Sequence, residues 1–223
     1  MVVAESERTT LGLTVKPDQS VILRIPVRIA EDEILRFLSR KEEWIYRQLL
    51  HFEAYQPATP TRKFIGGETH LFLGRAYRLR IMESPTWKIS RATYYITIGC
   101  PFPSNPDKVR EHYLAWQKEQ AMEVFTELHL RLQREYEQKL GYWLPCPGVR
   151  YYQNRWGTYL PDPGVYLLNA RLVQAPIAAI EYVILHEICH HKYPGHDRRF
   201  IRLLSSLIPD WEKRKSELER VMA

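Results

Sequence analysis

The sequence concentrates histidine in a short segment near its C-terminal end. Residues 186–196 read HEICHHKYPGH and hold four of the chain's eight histidines. Within this segment His186, Glu187 and His190 form an H-E-x-x-H pattern, and another histidine follows at His196. Neutral imidazole nitrogens with a neighbouring carboxylate are the groups from which hydrolytic zinc sites are built. The segment therefore predicts a metal centre that activates water.

The spacing of this pattern suits a helix. His186 and His190 are four residues apart, so on an α-helix their side chains differ by only about 40° and can reach one metal ion. Glu187 lies one step round the helix, where its carboxylate can contact a metal-bound water without binding the metal. Zinc lowers the pKa of such a water towards about 7, and the carboxylate can take its proton. A third ligand is needed, and His196 follows a Pro194-Gly195 break that can turn the chain back.

The residues next to the H-E-x-x-H pattern can have either a structural or a functional role. His191 points about 140° away from His186 on a helix, which places it at the surface or behind the ligands. Cys189 is either a further metal ligand or a small buried residue. Asp197 either orients a ligand imidazole or stabilises the start of the next helix. The remaining histidines are scattered and are predicted to be ordinary residues: His51, His70, His112 and His129.

Length and charge are typical of a globular protein of one domain, or one domain with an appendage. The chain has 223 residues, enough to bury a sizeable core. Its formal net charge is +6, to which residues 1–104, 105–140, 141–196 and 197–223 contribute +4, −1, +1 and +2. A charge excess that is spread in this way favours solubility over nucleic-acid binding.

Cysteine usage and hydropathy predict a cytoplasmic protein. The three cysteines, Cys100, Cys146 and Cys189, are odd in number and irregular in spacing, which argues for a reducing compartment. The first 25 residues do not resemble a signal peptide, and no apolar stretch approaches 18 residues. We therefore expect no membrane partner.

The N-terminal part is predicted to be rich in β-structure. Residues 11–29 form a hairpin around the turn Lys16-Pro17-Asp18-Gln19. A helix follows to about residue 52, and a Pro-rich connector covers residues 54–63. Alternating apolar residues between 64 and 100, interrupted by glycines, predict further strands.

The C-terminal part is predicted to be mainly helical. The spacing of apolar residues predicts a long helix from Asp107 to Leu140, which Gly141 ends. A hairpin over 149–172 follows, with a turn at 161–164. Further helices are predicted from Ile177 through His191, near Asp197 and beyond Pro209. The apolar stripe of the long helix is expected to face the core rather than a partner.

These segments resemble the YgjP-like family of zinc metallopeptidases over nearly the whole chain. The family's Y-V-x-x-H-E-x-x-H segment matches residues 182–190, and its K-x-P-x-H segment, followed by an aromatic residue, matches residues 192–200. Further matches are Arg155-Trp156-Gly157-Thr158, Leu168-Asn169, Pro176, Trp44-Ile45 and Leu73-Gly74. Thr158 stands where the family has serine, and it keeps the hydroxyl group.

The resemblance implies the roles of the site residues. It makes His186, His190 and His196 the zinc ligands and Glu187 the general base. Within the upstream motif, Trp156 can pack beneath the site and Arg155 can meet a carboxylate; alternatively, the segment is only a structural turn.

The resemblance also implies an α+β fold. We expect a zincin-like metallopeptidase core, with an active-site helix and an adjacent β-hairpin, preceded by a β-rich N-terminal part. Residues 1–104 would form the N-terminal part and residues 105–223 the helical catalytic part, or both would form one continuous domain.

Three functions compete at this point. The leading hypothesis is a zinc-dependent peptidase that acts on peptide or protein substrates. The family is distantly similar to SprT-type peptidases, so the alternative is a nucleic-acid-associated protease or a DNA-linked accessory protein, which a contiguous basic face would favour. The third is a structural zinc domain, for which Cys189 would have to be the fourth ligand.

Overall fold

The computed structural model describes residues 2–6, 10–15, 19–27, 29–53 and 62–222. The predicted connector over 54–63 therefore lies mostly outside the described residues. The chain divides into two compact units, Met1–Pro60 and Thr61–Met222. The mixture of helices and small sheets confirms the predicted α+β class. The division into 1–104 and 105–223 stays a prediction about domains, while the compact units divide near residue 60.

The first unit contains a three-stranded sheet and one helix. Strand β1 (Val2–Ser6) pairs parallel with β3 (Val21–Pro26), and β2 (Gly12–Val15) pairs antiparallel with β3. The second pair confirms the predicted hairpin, although residues 16–18 of its turn lie outside the described residues. Helix α1 (Glu31–Glu53) begins with three acidic residues, where the helix dipole favours them. The parallel strand β1 was not predicted.

The second unit begins with a four-stranded sheet of order β4-β5-β7-β6. Its strands are β4 (Thr69–Phe72), β5 (Arg75–Glu83), β6 (Lys88–Ala92) and β7 (Tyr95–Cys100). The central strands β5 and β7 run parallel, and the outer pairs are antiparallel. One face buries apolar side chains that alternate along the strands: Phe72, Tyr77, Leu79, Ile96 and Ile98. The strands predicted between residues 64 and 100 are thus confirmed.

The turn between β4 and β5 joins this sheet to the segment that directly precedes the helix with the metal-binding pattern. Leu73 and Gly74 have positive φ values of 49° and 76°. Their N–H groups donate to the carbonyls of Val173 at 2.8 Å and Gln174 at 3.1 Å. A Cβ atom at Gly74 would lie 3.1 Å from the Cα of Pro176, so only glycine lets the turn approach this closely.

A long helix, α2 (Pro106–Glu135), supplies the central packing surface. The side chain of Asn105 caps it by accepting a backbone N–H from the first turn at 3.1 Å. The helix predicted to reach residue 140 is interrupted at Tyr136, where φ −110° and ψ 14° leave helical geometry. The short helix α3 (Glu137–Leu140) follows and ends at Gly141 with φ 70°, as predicted. The predicted stripe lies in the core through Ala121, Phe125, Leu128 and Leu132.

A second sheet of three strands precedes the helix with the H-E-x-x-H pattern. Strands β9 (Gly157–Leu160) and β10 (Val165–Asn169) form the predicted hairpin, with its turn at residues 161–164. Strand β8 (Gly148–Arg150) instead pairs parallel with β10, because residues 151–156 form a connection that places β9 on the other side of β10. Strand β9 therefore lies at the edge of the sheet, beside the next helix.

That helix, α4 (Ile177–His190), is apolar on nearly all sides and lies in the core. Helices α5 (Arg198–Leu207) and α6 (Trp211–Met222) follow at the two predicted places. The most buried side chains of α4 are Ala179, Ile180, Ile184, Leu185, Ile188 and Cys189. Among the described residues, no helix is long and apolar enough to cross a membrane.

Candidate metal centre

Three imidazoles converge at the end of α4. His186 and His190 extend from successive turns of the helix, and the Pro194-Gly195 turn brings His196 back towards them. The Nε2 atom of His186 lies 3.2 Å from that of His190 and 3.0 Å from that of His196. All three donor atoms lie within 4.8 Å of one another. Ligands at 2.0–2.1 Å from a tetrahedral zinc ion are about 3.3 Å apart, so the three nitrogens fit such an ion.

The aromatic ring of Phe200 forms one wall of this cluster. Its centroid lies 4.9 Å from that of His186 and 4.8 Å from that of each of the other two imidazoles. Phe200 is placed by the start of α5, where the carboxylate of Asp197 accepts the backbone N–H groups of Arg199 at 2.9 Å and Phe200 at 3.0 Å. The helix-start interpretation of Asp197 is thus the observed one.

The surroundings keep two of these imidazoles neutral, which is the form that binds metal. Burial, reinforced by the repulsion that His190 and His196 would exert in their protonated forms, lowers the pKa of His186 to about 3. Burial also lowers the pKa of His190, against a hydrogen bond from its Nδ1 to the carbonyl of Tyr193 at 3.1 Å. That bond orients the ring with Nε2 towards the cluster.

The carboxylate of Glu187 is buried beside the cluster rather than within it. Its residue is only 6% exposed, and this burial raises its pKa to about 7. The backbone N–H of Tyr159 on β9 and the charge of Arg155 oppose this rise. A carboxyl group with a pKa near neutrality can both accept and release a proton. Arg155, which was expected to meet a carboxylate, thus acts on that of Glu187 through its charge.

Strand β9 approaches Glu187 so closely that it leaves no room for a side chain at Gly157. An ideal Cβ atom there would lie 2.5 Å from Oε1, 2.7 Å from Cγ and 2.8 Å from Cδ of Glu187. The glycine of the Arg155-Trp156-Gly157 motif thus creates the space that the carboxylate occupies. Sequence reasoning had no signal for this contact, because thirty positions separate the two residues.

The buried side chain of Asn169 holds the segment that leads into β9. Its Nδ2 donates to the carbonyls of Tyr152 and Arg155, both at 2.9 Å, and its Oδ1 accepts from the N–H of Arg171 at 3.1 Å. Its backbone N–H also donates to the carbonyl of Trp156 at 2.8 Å. The Leu168-Asn169 and Arg155-Trp156-Gly157 motifs therefore form one hydrogen-bonded structure beside the site.

We expect Asn169→Ala to destabilise the protein by about 2–4 kcal/mol, because it leaves two carbonyls and one N–H of partly buried hydrogen bonds without partners. The free energy of unfolding, measured in urea, checks this. Asn105→Ala, which removes only the cap of α2, is the comparison and should lose about 1 kcal/mol. If both variants lost the same free energy of unfolding, the hydrogen bonds of Asn169 would contribute no more to stability than a single helix cap.

The remaining polar neighbours do not join the cluster. His191 is exposed, and its Nδ1 lies 2.7 Å from the hydroxyl of Tyr159, so it is a surface residue as predicted. Cys189 is fully buried, and burial raises the pKa of its thiol to about 12, which fits the small buried residue. Trp156 packs against the core.

The other described histidines have structural partners. His129 lies 2.7 Å from the Tyr166 hydroxyl, His70 lies 3.0 Å from Glu68, and His112 stacks on Trp87. The side chain of His51 lies outside the described residues.

Comparison with known proteins gives one match. A family model described as YgjP-like, metallopeptidase domain, matches residues 9–221. No curated protein and no solved structure matches the chain.

Proposed function

Because the chain belongs to the YgjP-like metallopeptidase family, we propose that it is a zinc-dependent peptidase whose ligands are His186, His190 and His196. The observation that carries this proposal is the convergence of three imidazole nitrogens beside a buried carboxylate. The family supports peptide or protein substrates. Three protein ligands leave the fourth position of a tetrahedral ion open, as in catalytic zinc sites.

In this proposal the carboxylate of Glu187 carries the proton transfers. Zinc, when bound, supplies a Lewis acid that lowers the pKa of water and polarises the peptide carbonyl. Glu187 accepts a proton from the attacking water and passes it to the leaving amine. The N–H of Tyr159 and the close packing of the carboxylate against Gly157 fix its position during both transfers.

The two competing functions receive less support. A structural zinc domain would close the fourth position with a ligand, yet Cys189 is buried away from the three-histidine group. The SprT-like, nucleic-acid-associated alternative would need a contiguous basic face, which the family match to a metallopeptidase domain does not by itself supply. The cytoplasmic location stays a prediction.

The experiment that tests the proposal combines metal analysis with a protease assay on an unfolded protein such as casein. We expect the full chain to bind about one zinc ion and to hydrolyse the substrate. His190→Ala should lose both properties, because two remaining imidazoles bind zinc weakly. His191→Ala removes the adjacent, exposed histidine and should keep both. Stoichiometric zinc in His190→Ala would overturn the assignment of the ligands.

A further inference from the structure

The positive charge of the chain is concentrated in the segment that leads into and forms the sheet β4–β7. Residues 62–100 contain seven arginines and lysines and two glutamates, a net +5 out of the chain's +6. The net charge of +4 over residues 1–104 conceals this concentration, because residues 1–61 carry a net −1. The charge is therefore focused on residues 62–100, whereas the net charges of the longer sequence segments indicated that it is spread.

Strand register places three of these cations on the exposed face of the sheet. Arg78 and Arg80 alternate along β5 with the buried Tyr77 and Leu79, so both point away from the core. Lys88 on β6 is opposite Gly99 of β7, on the same face. Among the described residues, none of the three is paired with a carboxylate.

The two glutamates of this segment do not neutralise that face. Glu68 accepts the backbone N–H groups of Lys63 at 2.7 Å and Phe64 at 2.9 Å, and it lies 3.0 Å from the buried His70. Glu83 is the last residue of β5. It is four residues beyond the inward-facing Leu79, so it belongs to the same side of the strand as Leu79 and not to the outer face. The outer face thus presents cations without an intervening anion, which is the electrostatic footprint of a polyanion site.

Aromatic and hydroxyl groups accompany the cations on this sheet and in its β6–β7 turn. Tyr95 is opposite Arg78, and the guanidinium of Arg80 lies 4.0 Å from the centre of its ring. Tyr94, in the adjoining turn, is 71% exposed. Ser90 and Thr97 face each other across β6 and β7 on this surface. Tyrosine rings stack on bases and hydroxyls bond phosphates, so the surface offers groups for both parts of a nucleotide.

From this arrangement we infer that the outer face of sheet β4–β7 binds single-stranded nucleic acid. The cations contact the phosphates, and the exposed tyrosines stack on the bases, so binding is independent of base sequence and weakens steeply with salt. This surface lies outside the proposed metal centre and does not depend on the proposed peptidase activity.

The test is fluorescence anisotropy of a labelled oligothymidylate of about twenty nucleotides, titrated with the full chain at about 50 mM salt and above. We expect the triple variant Arg78→Ala, Arg80→Ala, Lys88→Ala to raise the Kd at least about tenfold. Its log–log salt slope should flatten by about 2, since each phosphate contact contributes about 0.7. Tyr94→Ala should weaken binding without changing this slope.

The matched control removes three exposed helical cations, through Lys118→Ala, Arg134→Ala and Lys213→Ala. It carries the same net charge as the triple variant and should keep the wild-type Kd. The inference is overturned if the unmodified chain does not bind, or if both triple variants weaken binding equally. It is also overturned in favour of an acidic protein partner if polyglutamate of equal length binds more tightly. Unfolding in urea confirms that each variant is folded.

Discussion

Replacement of Glu187 by glutamine is expected to lower peptide hydrolysis by about 10²–10⁴-fold while bound zinc stays unchanged. Glutamine has the same shape, and its carbonyl can still accept the N–H of Tyr159, but it cannot take a proton from water. The carboxylate is not part of the three-histidine group, so the metal keeps its ligands. The measurements are kcat on casein and zinc content of the purified variant.

Glu181 on the same helix provides a matched control. It forms ion pairs with Arg131 and with Arg214, the latter at 2.7 Å, and it is not part of the metal-ligand group. Glu181→Gln therefore makes the same chemical change on α4 and should leave hydrolysis per folded molecule unchanged. Full activity in Glu187→Gln would rule out the proposed mechanism. Loss of zinc in that variant would instead mean that the carboxylate supports the metal.

Alanine at position 157 is expected to lower kcat by about 100-fold with zinc retained, because misplacement of a catalytic group by about 1 Å has effects of this size. The new Cβ atom would lie 2.5 Å from Oε1 of Glu187, closer than non-bonded atoms approach. Strand β9 cannot easily retreat, since it pairs with β10 and its entry is held by Asn169. The carboxylate must therefore move.

Gly148→Ala is the matched control for this variant. Its Cβ atom would also lie 2.5 Å from a neighbour, but that neighbour is the terminal Cδ2 of Leu167, on a flexible side chain that can rotate. The two variants make the same chemical change in the same sheet, and only one affects the carboxylate. We expect Gly148→Ala to keep kcat and zinc. If Gly157→Ala also kept the wild-type kcat, the strand would have no role in positioning Glu187.

Local patterns predicted the elements that depend on neighbouring residues. The H-E-x-x-H spacing placed His186 and His190 on one helical face, and Pro194-Gly195 predicted the turn before His196. Alternation predicted the strands of sheet β4–β7, and Gly141 predicted where the helical segment that starts with α2 ends. Each of these depends on backbone preferences over a few residues, which a sequence displays directly.

Pairing between distant segments could not be predicted in the same way. The parallel pairs β1–β3 and β8–β10 leave no local turn signal, since their strands are joined by long connections. The interruption of the long helix at Tyr136 was also missed, because nothing in the apolar stripe marks it.

The sequence by itself determined the chemistry of the candidate site: three imidazoles, a carboxylate and the helix that spaces two of the ligands. Only the tertiary structure decided how that carboxylate is placed and buried, through the contact of Gly157 with Glu187 and the hydrogen bonds of Asn169. It also decided which cations share a surface, because strand register brings Arg78 and Lys88 to one face. Ligand spacing is set by a few consecutive bonds, whereas burial and charge clustering depend on the packing of segments far apart in the chain.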